Sequence, residues 1–496
     1  MVGESSSFEE IWRDDLLGRK DEARQIIGYI ESVVERPYRR EDKRSYTITI
    51  DAQYGEGKTF FLKRFARTVA ANHPVAFVDA WADDLADEPL TALVATLKTA
   101  LEPFTADADI QPRFQAIMEK AGKVAKIASL GLARRSLGVL ITGAAVAAIG
   151  EIIGGATEAA AGALNDAAAD AVKETIDDAS EAANESSRFS MQQKVEIFEQ
   201  GKCAIQELKS SLDGLIEAIE HSDNIRPPIF IFIDELDRCR PTYAIKLLEE
   251  IKHLFDVPGL IFILSIHSDQ LARSIVGAYG PEFDGKAYLS RFIDRSYRLA
   301  EPNLDPLVSS LCESFGLPEN RIEFPQIVMQ RDQRWSHRPL AWCIARFMHA
   351  YGVKARDAYR LLDMLQTALA LSGSSTLQGA YLIPLVIGQL KGLPPGNLPP
   401  VIQRRWVYLL TPTHHGVDLR EVPFDALAFE IENALTLTFQ QLREKVSTQA
   451  ASYAEHVVAE NRAWNGSAQL SHIENYPKLV EAVSRFQNPK IEASPA

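Results

Sequence analysis

The chain has 496 residues, 46% hydrophobic and 24% charged, the composition of a folded protein of two to four domains rather than a disordered one. Lys and Arg total 53 against 67 Asp and Glu, a formal charge of −14. This argues against a mainly non-specific nucleic-acid binder, which needs surplus cations, although a local basic groove stays compatible.

The four cysteines, Cys203, Cys239, Cys312 and Cys343, lack CxxC or Cys/His spacing, which argues against a zinc module or a disulfide scaffold. The opening MVGESSSFEEIWRDD is polar and acidic, with no apolar stretch of signal-peptide type, so a cytoplasmic protein is expected. Residues Asp15–Glu35 read as a turn followed by an amphipathic helix, with Ile26, Ile27, Ile30, Val33 and Val34 on one face. SYTITI, ending at Ile50, alternates and is β-branched, so it reads as a strand. A glycine-bearing loop, Asp51–Gly57, then leads into a helix from Lys58.

Pro74–Asp79 is a second short strand, and a helix is expected around Leu90–Leu101. From about Thr105 to Ile225 only helix-forming chemistry is present. A basic zone comes first, then the apolar run Leu137–Gly150, then an Ala-rich acidic zone. IFIFID after Pro227–Pro228, and GLIFILSI at Gly259–Ile266, are continuous apolar runs, as expected of parallel strands buried on both faces. Helices are predicted at Tyr243–Phe255, Arg338–Phe347 and Val353–Leu371. Lys391–Pro400 (KGLPPGNLPP) reads as a linker, and the last hundred residues read as helical.

The segment Ala52–Thr59 (AQYGEGKT) falls between a strand and a helix, where a phosphate-binding Walker A loop must sit. Phosphates need convergent backbone N–H groups, a helix N-terminus, a lysine and a hydroxyl for magnesium. Gly55 and Gly57 supply the backbone freedom, with Tyr54, Glu56 and Phe60 around them. Lys58 would reach the β- and γ-phosphates and Thr59 would ligate Mg²⁺. Ala52 stands where the motif has its first glycine. The strand Ile229–Ile233 delivers Asp234 and Glu235 to its tip, a Walker B arrangement in which Asp234 holds the metal and Glu235 polarises the attacking water. A solvated strand end is the plainer alternative. In doubly wound sheets ligands gather at the carboxyl ends of strands, where both motifs converge.

Ile233–Pro241 (IDELDRCRP) resembles the IDDLDRCxP signature of the KAP family of P-loop NTPases. Tyr54–Thr59 (YGEGKT) is similar to that family's WGSGKT, Phe77–Trp81 (FVDAW) to its FNAW, and Tyr288–Phe292 (YLSRF) to its YLxKF. The departures are Ala52, Tyr54, Glu235 for the commoner aspartate, and His267 where aspartate often follows the strand. The resemblance spans roughly residues 15–370. It implies an ATPase with a doubly wound α/β P-loop core, a large helical insert, a helical lid and a C-terminal helical domain. The implied boundaries are 1–104 and 226–300 for the core, 105–225 for the insert, 301–390 for the lid, 391–400 for the linker and 401–496 for the last domain. ATP and Mg²⁺ are the implied cofactors.

The resemblance also implies residue roles. Leu17, Gly18 and Arg19 would line the adenine pocket, and Arg356 would be a second-sensor arginine. Arg291, and after it Arg295, would contact the γ-phosphate in cis or across a subunit boundary, with a plain surface arginine as the alternative. Asp237 and Arg238 would shape the site or form an ion pair capping the next helix. Family members carry transmembrane helices where this insert lies. Bacterial ones are linked to exclusion of phage or plasmids, so the implied biology is a nucleotide switch in defence. The alternatives are a non-hydrolysing ATP-binding scaffold acting through the insert and, behind it, a small-molecule phosphotransferase.

Leu137–Gly150 is shorter than the roughly 20 residues a bilayer span needs, and Glu151 and Glu158 interrupt its continuation. Three readings follow: a helical core or oligomer contact, a membrane-surface segment, and a true span. Its small residues permit close helix packing, which favours self-association or a partner protein. Residues 151–190 hold nine acidic and two basic residues, so half of the net charge belongs to the insert and nucleic acid is not excluded for the core. His414–His415 lack partners at metal-binding spacing, and Trp335, Trp342 and Phe347 are expected in helix cores.

Overall fold

Five short strands rich in β-branched and aromatic residues form one parallel sheet. They are β1 (Tyr46–Asp51), β2 (Val75–Asp79), β3 (Ile229–Asp234), β4 (Leu260–Ile266) and β5 (Arg295–Arg298), in the order β2-β3-β4-β1-β5. The computed structural model describes residues 8–34, 45–86, 88–102, 110–129, 191–221, 226–324, 327–328, 340–404, 406–413, 416–444, 453–455, 457–459, 461 and 472–486. The apolar run Leu137–Gly150, the acidic zone after it, Trp335 and His414–His415 lie outside them.

Two compact units divide the chain. The first is Met1–Asp14, Lys20–Tyr54 and Lys58–Ala300; the second is Asp15–Arg19, Gly55–Gly57 and Glu301–Ala496. In the first, β3 and β4 are buried along their whole length, because apolar cores lie on both faces of the sheet. Alternate side chains divide between them. Phe230, Phe232, Ile261 and Ile263 join Phe61 and Phe65 of the helix Lys58–Val69. Ile231, Ile233, Phe262 and Leu264 face the other way, toward the helices Pro89–Leu101 and Pro241–Leu254. Register pairs Asp79 with Asp234 and Asp51 with Ile266, so the carboxyl ends of four neighbouring strands finish level.

Every described residue of the insert outside its connecting loops is helical. Ile110–Ser129 and Met191–Glu220 place Ile110, Phe114, Ile117, Ala121 and Val124 in one core with Ala204, Leu208, Leu212, Leu215 and Ile219. The three- and four-residue spacings mark one face of each helix. Lys120 pairs with Glu207 at 2.7 Å outside that core. Among the described residues no helix is long and apolar enough to cross a membrane.

The second unit packs the helices Asp305–Phe315, Leu340–Ala350, Ala355–Leu371, Gly379–Leu390, Ala426–Leu435 and Tyr476–Ser484 around Phe347, Tyr351, Leu361, Leu365, Ile383 and Phe424. Phe347 is buried and Trp342 packs beside it, as expected. Strands β6 (Ile322–Glu323) and β8 (Leu377–Gln378) form a parallel pair. Two expectations need correction here. Residues 401–496 are not purely helical, because β9 (Trp406–Thr413) and β10 (Gly416–Pro423) form an antiparallel hairpin joined by β7 (Ile327–Val328). Aromatic and β-branched residues dominate β9, and Pro412 and Pro423 disfavour a helix. Nor is Lys391–Pro400 a free spacer. Leu393 N donates to Gly388 O at 2.9 Å, Lys391 Nζ donates to Tyr351 O, and Leu398 packs on the core.

Candidate active site

Asp51 closes β1 and fixes where the phosphate loop leaves the sheet. Its carboxylate accepts from Ser268 N at 3.0 Å and Ser268 Oγ at 2.7 Å, and Ala52 N donates to Ile266 O at 3.3 Å. Gly55 and Gly57 have φ of +83° and +87°, the left-handed region in which glycine carries no steric penalty. The helix Lys58–Val69 starts directly after them, so its first-turn N–H groups and dipole face the loop. Lys58 Nζ donates to Ala52 O at 2.7 Å and lies 3.8 Å from Asp237 Oδ2.

At the tip of β3, Asp234 is nearly inaccessible and its Oδ1 accepts from Glu235 N at 3.0 Å. Glu235 has φ +60°, the one positive value among described non-glycine residues, a conformation costing about 1 kcal/mol. The backbone reverses there into the turn Leu236–Arg238, leaving the Glu235 carboxylate 3.1 Å from Arg238 Nη1. Burial raises the Glu235 carboxyl above its ordinary value, Arg238 opposes this, and Asp234 and Asp79 add to it.

Asp237 is a hub rather than a helix cap. Its carboxylate accepts from His267 N at 3.2 Å and faces Lys58. Burial, then the neighbouring Asp237, pushes the Tyr54 hydroxyl up to about 12, so it stays a neutral donor at physiological pH. The Tyr54 ring packs on His267 with centroids 5.5 Å apart, and Lys58 Nζ lies 4.9 Å from its centre. Arg238 stands 5.5 Å from the Trp81 ring and 6.0 Å from that of Tyr54. Asp79 caps the short helix carrying Trp81 by accepting from Ala82 N at 3.1 Å. Cys239 Sγ donates to Glu235 O at 3.6 Å, and burial holds its thiol well above the ordinary range, in the donor form. Arg240 is bound by Asp84 through its backbone N and Nε, both at 3.0 Å.

Within the second unit the turn Asp15–Arg19, the loop tip Gly55–Gly57 and the start of the helix Ala355–Leu371 converge. A Cβ on Gly57 would lie 2.9 Å from Leu17 Cδ1, and one on Gly55 would lie 3.1 Å from Lys354 Cβ. Arg356 N donates to Gly55 O at 3.4 Å, and Lys354 Nζ pairs with Glu56 Oε1 at 2.7 Å. Arg19 is fully buried and its Nη2 donates to Glu56 O at 2.9 Å, so it braces the loop tip. The Lys354–Glu56 pair was not anticipated, since nothing local marks either residue as its partner.

Phe60 and Arg291 each take part in an arginine–aromatic contact. Phe60 is half-buried beneath the Arg64 guanidinium, 3.8 Å from its ring centre. Arg291 lies on an exposed turn 5.9 Å from the Tyr288 ring centre. Asp294 N donates to Thr47 O at 3.0 Å and Arg295 registers with Ile48. Arg291 and Arg295 therefore lie just before and at the start of β5, and Ser290 and Arg295 line one pocket with Ser268 and Asp269, which follow the carboxyl end of β4.

No curated protein matches the chain. Residues 19–320 match the KAP family P-loop domain. This match covers more than half of the chain and takes in the phosphate loop, the Walker B strand and the LDRC turn, so the protein belongs to the KAP family of P-loop NTPases.

Proposed function

We propose that the protein binds ATP with Mg²⁺, hydrolyses it, and uses the bound nucleotide to switch conformation or assembly. The observation that carries this reading is one cluster at the level carboxyl ends of the sheet: the Lys58 ammonium beside the Asp237 carboxylate, with Asp234 and Glu235 at the tip of β3. Lys58 would exchange its bond to Ala52 O for phosphate oxygens. Glu235, with a carboxyl raised by burial, suits a base that takes a proton from water. Backbone N–H groups of the loop and helix start would hold the phosphates.

The Thr59 hydroxyl and the Asp234 carboxylate are hard oxygen donors of the kind Mg²⁺ prefers. No group of three or more His, Cys, Asp or Glu able to hold a metal occurs among the described residues. When bound, the ion neutralises charge across the β- and γ-phosphates.

Arg291, which is exposed, would contact the γ-phosphate in its own site or across a subunit boundary, as the family resemblance implies. Self-association through the insert, and a role in bacterial defence against phage or plasmids, extend the proposal along the family resemblance. Equilibrium binding of Mg–ATP to wild type and Lys58→Ala tests the first step. Binding by wild type with loss of about tenfold or more in the variant supports it. Equal binding by both proteins removes the phosphate-loop reading.

A further inference from the structure

Arg238 is used by nothing in the scheme above, yet its surroundings are specific. It contacts one oxygen of Glu235 at 3.1 Å, and both side chains keep some solvent access, 30% for Arg238 and 19% for Glu235. An ion pair of that kind is weak and readily exchanged. The guanidinium also lies between two aromatic rings, Trp81 at 5.5 Å and Tyr54 at 6.0 Å. Aromatic rings attract a cation without directional bonds, so its N–H groups can exchange one anionic partner for another. Tyr54 belongs to the phosphate loop, and its ring is approached by Lys58 Nζ at 4.9 Å as well. The phosphate-seeking lysine and the Glu235-bound arginine thus attend the same ring.

We propose that Arg238 is the residue by which this site distinguishes a nucleoside triphosphate from a diphosphate. With no γ-phosphate present, the guanidinium occupies the Glu235 carboxylate. With one present, it turns onto the γ-phosphate oxygens, where a fork of two N–H bonds to a doubly charged group outcompetes a single contact to a carboxylate. The same movement leaves Glu235 free to accept a hydrogen bond from water, so only the triphosphate arms the base. This inference rests on the nucleotide-binding reading and deepens it. Arg238 acts on Glu235 as a positioning residue and on the γ-phosphate as a specificity residue.

The test measures equilibrium affinities of the full chain for the imido analogue of ATP and for ADP, each with Mg²⁺, in wild type, Arg238→Ala, Arg238→Lys and Trp81→Ala. Arg238→Ala should weaken the triphosphate analogue about tenfold while ADP changes by less than about twofold. Arg238→Lys, which keeps the charge and loses the fork, should fall between. Trp81→Ala should show the same selective loss in smaller measure, and it carries the test with Arg238→Lys if the alanine variant fails to fold. Equal weakening of both nucleotides, or no change in either, overturns the role of Arg238 and leaves nucleotide binding standing. A wild type that binds neither nucleotide overturns both.

Discussion

At the residue scale the consequential choice is Glu235, held left-handed where most residues avoid that conformation. If Glu235 takes the proton of the attacking water, Glu235→Gln keeps the shape and loses the base. Turnover should fall by about a hundredfold or more while ATP binding persists, read by phosphate release beside equilibrium binding. Gly57 gives a second prediction. Gly57→Ala adds a Cβ at φ +87°, 2.9 Å from Leu17 Cδ1, at a cost of about 1 kcal/mol or more in the loop conformation. Nucleotide affinity should drop with little change in the melting temperature, and an unaltered affinity would show that the loop does not need this glycine. The phosphate loop, Asp234 and Glu235 were legible in sequence because their chemistry is local: glycine–lysine–threonine after a strand, carboxylates at a strand tip. Asp237 bound to His267 N, Lys354 paired with Glu56, and Arg238 between Trp81 and Tyr54 were not. Each joins residues far apart in sequence that only the fold brings together.

At the element scale, β3 and β4 could be read from sequence since strands buried on both faces must be continuously apolar, and β1 because it alternates β-branched residues. The β9–β10 hairpin was not read, although aromatic and β-branched residues dominate β9, because it stands alone among segments of helical pattern. Phe232 of β3 is wholly buried, with Phe65 edge-on at 5.5 Å. Phe232→Ala should therefore cost about 3–5 kcal/mol, measured by denaturant unfolding. A second feature is the helix Pro241–Leu254 after Walker B. It buries Glu250, whose Oε2 has no hydrogen-bond partner among the described residues and whose carboxyl burial raises to about 8, with Lys246 opposing. The neutral form is favoured in the folded state. This contribution to stability is whole below the ordinary carboxylate value and disappears as pH rises through about 8. The wild-type melting temperature should fall between pH 5 and 8 relative to Glu250→Gln, and parallel curves would count against it.

At the scale of the whole molecule, composition and charge limited the classes without naming one. The −14 charge is concentrated in the insert beside its apolar run, so it describes the insert more than the sheet. If nucleotide controls assembly, the solution mass should change between nucleotide-free and Mg–ATP samples. A single constant mass would separate hydrolysis from assembly. The central claim is hydrolysis at the tip of β3 beside the phosphate loop, and release of inorganic phosphate from Mg–ATP by the purified full chain tests it most directly. Wild type should release phosphate at many times the buffer rate, while Lys58→Ala and Glu235→Gln stay at that rate. Wild type at the buffer rate, or variants as fast as wild type, would contradict the account.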